Sequence, residues 1–276
     1  MSYPPNRIVC LTEETVETLY LLGEEDRIVG VSGYAVRPPR VRKEKPRVAA
    51  FISADMPKIL ALEPDLVLTF SDLQADIVAE LIRAGVAVHA FNQRTIPGIF
   101  DMIGLTAALV GVPEKGAELV EQLRGRLDDA RDATSKIKSR PKVYFEEWDE
   151  PMISGIGYVS ELIQIAGGDD IFADLAKQKA ARDRIVQPET VIAAKPDIII
   201  GSWCGKKFRP EKVASRPGFG SIPAVQANAL HEIKSPLILQ PGPALLTDGL
   251  DAMMAIVREW DGRRGASQEG TAPRGQ

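Results

Sequence analysis

The sequence predicts an α/β protein made of two similar lobes with mostly parallel sheets, joined by one long interlobe helix, with a ligand cleft between the lobes. Three observations lead there. Short apolar runs of strand length alternate with helix-period segments along most of the 276 residues. The phrase Ile59-Leu60-Ala61-Leu62-Glu63-Pro64-Asp65-Leu66-Val67-Leu68 returns as Val191-Ile192-Ala193-Ala194-Lys195-Pro196-Asp197-Ile198-Ile199-Ile200. The distance from Pro64 to Pro196 is about half the chain, a period that points to a duplicated lobe rather than a solenoid. Between the two halves, residues 99–137 read as helix, with a break at Gly111-Val112-Pro113.

Taken in order, Arg7-Ile8-Val9-Cys10-Leu11 is a buried strand, and Thr12 is placed to cap a helix whose first turn holds Glu13 and Glu14. Ile28 to Val31 is a second strand. The charged, proline-rich run from Arg37 to Arg47 reads as a solvated surface loop. Leu66-Val67-Leu68 is a buried strand, residues 72–84 a helix and residues 86–91 a strand. From Glu114 onward, Leu119, Val120, Leu123, Leu127 and Ala130 recur at helical spacing, with charge on most other faces. Lys142 to Phe145 is a strand, Val159 to Ala166 a helix closed by Gly167-Gly168, and a strand near His231 precedes a last helix from Ala244 to Trp260. The expected division is an N-terminal lobe over residues 1–97, a helical strut over 98–139, a C-terminal lobe over 140–262 and a disordered tail over 263–276.

A net charge of −4 gives no reason to expect nucleic acid or an anionic membrane as partner. No apolar run approaches the length of a membrane span. The first residues enter a strand with no apolar signal core, so the chain as written is expected to be cytoplasmic or a mature form. Cys10 and Cys204 fall in opposite halves and read as unpaired thiols. Gly-x-Ser-x-Gly, His-Glu-x-x-His and Cys-x-x-Cys are all missing; His89 and His231 read as structural.

In parallel sheets ligands sit beyond the carboxyl ends of the strands. That rule nominates Glu13, Glu14, Tyr34, Phe70, Ser71, Asp72 and Asn92 in the first lobe. In the second it nominates Glu146, Glu147, Trp148, Trp203, Cys204, Lys206 and Gln240. With aromatics at only 6% of the chain, Trp148 and Trp203 are read as a clamp for a flat or bulky ligand. Carboxylates at the same strand ends favour a ligand bearing amides, amines or positive charge, if they point inward.

The opening Arg7-Ile8-Val9-Cys10-Leu11-Thr12-Glu13, the stretch Ile28-Val29-Gly30-Val31-Ser32-Gly33-Tyr34 and the twice-used proline–aspartate turn carry a resemblance. The chain resembles the substrate-binding proteins of ABC importers for cobalamin, ferric siderophores and haem, a class with a rigid interlobe helix, and is most similar to its cobalamin-binding subgroup. The resemblance implies a bulky corrinoid or metal-chelate ligand, no resident cofactor or metal and no catalysis. Tyr34 matches a ligand-contacting tyrosine, and Phe51 falls where that family carries a cleft tryptophan. Glu189 matches one of two glutamates that dock on a permease. The other position is Pro57 here, with Asp55 nearby as a substitute. The ligand-contacting set expected on both grounds is Tyr34, Phe51, Phe70, Trp148, Trp203, Cys204, Gln240, Glu14 and Glu147, in a monomer. A periplasmic location is implied, while the missing signal core leaves a cytoplasmic one open. The alternatives are a cytosolic metallo-cofactor protein or enzyme on the same plan, with Cys204 or the carboxylates holding metal, and a ligand sensor or chaperone without a permease.

Overall fold

A computed structural model of the chain describes residues 3–137 and 139–269. It divides into two compact units: residues 1–124 with 240–244, and residues 125–239 with 245–276.

Unit 1 begins with β1 (Ile8–Cys10), α1 (Glu13–Leu21), β2 (Ile28–Ser32), the single turn α2 (Val41–Glu44), β3 (Arg47–Ala50) and β4 (Ser53–Ala54). It continues with α3 (Met56–Ala61), β5 (Leu66–Phe70), α4 (Ala75–Arg83), β6 (Val88–Phe91), α5 (Ile96–Leu109) and the start of α6 (Pro113–Thr134). The sheet order is β4-β3-β2-β1-β5-β6, parallel except for the edge hairpin β3–β4. Alternation along β1 and β5 sends Val9, Leu11 and Val67 to one face, where they pack with Ile59, Ile77 and Leu81. The run from Arg37 to Arg47, expected to be an open loop, holds α2 and leads into β3 instead. Two of its cations pair with neighbours, Arg37 with Glu17 and Arg40 with Glu25 and Glu44, and Val41 is buried, while Arg42, Lys43 and Arg47 are exposed.

Unit 2 takes the rest of α6, then β7 (Lys142–Asp149), β8 (Met152–Ser154), α7 (Gly157–Ile165), β9 (Asp169–Asp170), α8 (Pro188–Ala194) and β10 (Ile198–Gly201). After these come α9 (Pro210–Ala214), α10 (Pro223–Gln226), β11 (Leu230–Glu232), α11 (Ser235–Ile238) and α12 (Leu250–Glu269). The order is β11-β10-β7-β8, with β9 also on β7; β8 alone runs antiparallel. Strand β7 outruns its expected end at Phe145 by four residues, and its register shifts between Glu146 and Trp148, so Trp148 lies within the strand rather than after it. Helix α12 continues to Glu269, past residue 262, where the ordered chain was expected to end; residues 270–276 of the expected tail lie outside the described residues.

The repeated phrase has a physical job. In each copy a helix turns through a residue of positive φ, Glu63 (φ 45°) or Lys195 (φ 52°), into a proline and an aspartate. The Asp65 carboxylate accepts from the backbone N–H of Asn6 and Arg7, and that of Asp197 from the N–H of Lys142. Each aspartate thus ties the entry of its own strand, β5 or β10, to the start of the first strand of the unit, β1 or β7. The helix α6, 22 residues long, spans about 33 Å at 1.5 Å per residue, and the boundary between the units falls inside it. Gly116 lets α6 approach α5, since a Cβ there would stand 2.4 Å from that of Ala107. A second passage, Gln240–Ala244, expected in the C-terminal lobe, groups with unit 1.

Candidate functional site

In each sheet the strand order reverses at one place, between β1 and β5 in unit 1 and between β7 and β10 in unit 2. The carboxyl ends of adjacent parallel strands leave a crevice at such a switch point.

In unit 1 the switch point is tied together by a side chain that the strand-end rule does not nominate. Gln74, fully buried, donates to the carbonyls of Leu11 and Phe51 and accepts from the Phe70 N–H, binding the ends of β1 and β5 to the β3–β4 turn. Ser71 follows β5 with φ 67° and ψ 174°, a backbone region almost reserved for glycine, and its hydroxyl accepts from Leu73 N–H. Backbone strain of this kind, costing about 1–3 kcal/mol, persists where surrounding structure enforces it and gathers at functional positions. Phe70 is buried under the Arg94 guanidinium, which also reaches Asp72. Phe51 is partly buried and Tyr34 is 49% exposed.

Glu13 and Glu14 follow β1 and are both buried. Thr12 occupies the N-cap position of α1 without capping it; its hydroxyl donates 2.8 Å to Oε1 of Glu14 instead. Burial pushes the Glu14 carboxyl up to about 8, helped by the neighbouring charge of Glu13, and pushes Glu13 up to about 7. The segment Gln240–Ala244 lies against this edge. Gln93 donates to the Pro241 carbonyl, the Ala244 N–H donates to Glu17, and a Cβ on Gly242 would stand 2.5 Å from that of Glu14. Gln240 is buried, and its Oε1, like that of Gln93, has no hydrogen-bond partner among the described residues.

In unit 2 the strand-end carboxylates are consumed internally. Glu146, 0% exposed, takes two hydrogen bonds from Arg216 (2.6 and 2.9 Å), one from the Trp203 indole (2.9 Å) and one from Tyr144 (3.0 Å). Glu147 pairs with Arg184, whose side chain is itself fully buried. Asp149 accepts from both Lys206 and Lys212, which hold its carboxyl down at about 2 against the opposing effect of burial. The expectation of an acidic surface therefore does not describe this edge. Partners 37 to 70 residues away in sequence, invisible to local spacing, neutralise all three acids.

The two tryptophans have different settings. Trp203 is 3% exposed, edge-on to Phe208 at 5.1 Å inside the core of unit 2, so most of its surface is already spent. Trp148 is partly exposed; its indole donates to the Glu150 carbonyl, and the Lys206 ammonium stands 3.8 Å from its ring centre. Cys204 is exposed and Cys10 buried, neither in a disulfide. Among the described residues no three His, Cys, Asp or Glu side chains gather as metal ligands. Gly201 ends β10 where the Phe208 ring lies on the backbone, and a Cβ there would fall 1.9 Å from that ring. Gly201→Ala is expected to cost about 3 kcal/mol or more by overpacking, read as a lowered urea midpoint at unchanged slope.

Glu189 is exposed in the first turn of α8. Asp55 is the N-cap of α3, accepting from Lys58 N–H and paired with the Lys58 ammonium, an arrangement that holds its carboxyl below the usual range.

With this geometry in place, the chain was compared with known proteins. The family model described as "Periplasmic binding protein" matches residues 8–237. A Bacillus subtilis protein named "Uncharacterized ABC transporter substrate-binding lipoprotein YvrC" is 24% identical over 251 residues, covering 88% of this chain and 77% of its own. The "Vitamin B12-binding protein" of Vibrio cholerae is 29% identical over 204 residues, covering 72% of this chain and 71% of its own. Among solved structures, the periplasmic haem-binding protein RhuT from Roseiflexus sp. RS-1 superposes with a TM-score of 0.78 at 25% identity, over 91% of this chain and 99% of that one.

Proposed function

The chain belongs to the periplasmic binding protein family, and from that premise we propose that it is the solute-binding protein of an ABC-type importer, capturing a corrinoid or a metal chelate such as haem or a ferric siderophore. The observation that carries this reading is the family match over residues 8–237, which takes in the strands of both sheets. The relatives named for vitamin B12 and haem support a large, flat or chelated ligand. Aromatic surface suited to such a ligand is offered at the carboxyl edge of each sheet separately, by the exposed Tyr34 in unit 1 and by the partly exposed Trp148 in unit 2. On this reading the protein works as a monomer outside the cytoplasmic membrane, delivers its ligand to a permease and leaves it chemically unchanged. The exposed Glu189 serves as one docking acid. Asp55, already tied to Lys58, replaces the other only weakly.

A thermal-shift panel of cyanocobalamin, haemin and ferric siderophores tests this. A ligand at a hundred times its dissociation constant adds about 2.7 kcal/mol to the folded state, expected to raise the melting temperature by about 5 °C in a protein of this size. A panel in which no compound moves the melting temperature at tens of micromolar rejects the ligand class.

A further inference from the structure

The carboxyl edge of unit 2 is basic, in a chain whose net charge is −4. Beyond β7, β10 and β11 lie two cavities of about 450 and 470 Å³ that share Trp203, Lys206 and Lys207 in their walls. Five cations line them, Lys206, Lys207, Arg209, Lys212 and Lys234, against the carboxylates of Asp149 and Glu232. Asp149 is taken by Lys206 and Lys212 together, and Glu232 accepts the backbone N–H of Phe208. Lys207, Arg209 and Lys234 are exposed, and among the described residues none of the three has a carboxylate at ion-pair distance.

Three unneutralised cations around a cavity set a positive potential there and favour a ligand that brings its own negative charge. Lysine and arginine have donors and no acceptor, so the matching group is an oxyanion. Trp148, with Lys206 over its ring, brings apolar surface to the same edge. We propose that this face of unit 2 selects an anionic chelate, one whose carboxylate or phenolate oxygens meet Lys207, Arg209 and Lys234. The inference rests on the ligand-capture reading above and narrows it: among bulky chelates, charged members bind and their neutral counterparts bind poorly.

Matched pairs test it by calorimetry on the purified full chain: haemin against its dimethyl ester, and a ferric tris-catecholate against a neutral ferric tris-hydroxamate, with cyanocobalamin alongside. The anionic member of each pair is expected to bind about ten-fold tighter or more, with a gap that narrows as salt rises. In Lys207→Glu/Lys234→Glu the ratio within each pair collapses toward one, whereas Lys207→Arg/Lys234→Arg preserves it; circular dichroism checks that both variants fold. Equal affinities within the pairs, or a ratio untouched by charge reversal, overturn the proposal. Tight binding of cyanocobalamin alone overturns it while leaving the importer reading intact, and binding of nothing in the panel overturns both.

Discussion

Arg216→Ala is expected to destabilise unit 2 by about 3–5 kcal/mol, because it strands a charge in the core. Glu146 has no exposed surface, and Arg216 supplies its only cation among the described residues, through two hydrogen bonds; the other partners, Trp203 and Tyr144, are neutral donors. Removing the guanidinium leaves the carboxylate to ionise in a low-dielectric setting or to take up a proton. Urea unfolding of the ligand-free protein reads the loss. The double variant Glu146→Gln/Arg216→Met removes both charges and is expected to recover more than half of it, since the penalty belongs to the unpaired ion rather than to the missing bond. A single variant within about 1 kcal/mol of the parent would mean that water reaches Glu146 and that the pair is a surface feature.

The second large effect is a loss of stability with rising pH that originates at Glu13 and Glu14. Both carboxyls titrate higher in the folded chain than the usual 4.5, near 7 and 8, chiefly through burial. A folded state that holds a proton the unfolded chain has released is favoured at low pH. Their contribution is therefore complete below about pH 4.5 and drains away as pH rises toward 8, at up to about 1.4 kcal/mol per pH unit for each proton held. Glu13→Gln/Glu14→Gln, neutral at every pH, is expected to flatten the profile between pH 5 and 8. The carboxylate of Asp149 acts in the opposite sense and at lower pH: held down near 2 by Lys206 and Lys212, it lends stability above about pH 4 that is lost as pH falls toward 2. The two groups are thus separable in one titration. A double variant that still loses stability between pH 5 and 8 as steeply as the parent would place the titrating group elsewhere.

Where the sequence reading succeeded, the signal was local or periodic. The alternating strands, the helix after Pro113 and the halves related through the proline–aspartate turn all appear in the structure. The turn was legible because its chemistry is compact: a positive-φ residue, a proline and an aspartate whose carboxylate ties back to the first strand of the unit. The strand-end rule nominated Glu14, Phe70, Glu147, Trp148 and Trp203. It could not say which of them were already occupied. Trp203 donates to Glu146 and packs on Phe208, and Glu147 belongs to Arg184. The run from Arg37 to Arg47 is mostly exposed, as charge and proline suggested, but Arg37 and Arg40 meet glutamates on α1, on the turn before β2 and on α2, pairings that local charge does not show.

The order of residues alone determined the α/β class, the two similar halves and the helix that passes from one to the other, since each is written in periodicity, helix breakers and a repeated phrase. Only the tertiary structure decided the charge of each edge. Whether a carboxylate faces a ligand or an arginine depends on groups dozens of residues away, brought within 3 Å by the pairing of strands. Hence the acids of β7 vanish into ion pairs, Lys207, Arg209 and Lys234 have no carboxylate partner among the described residues, and Gln240–Ala244 comes to rest against Glu14 and Glu17.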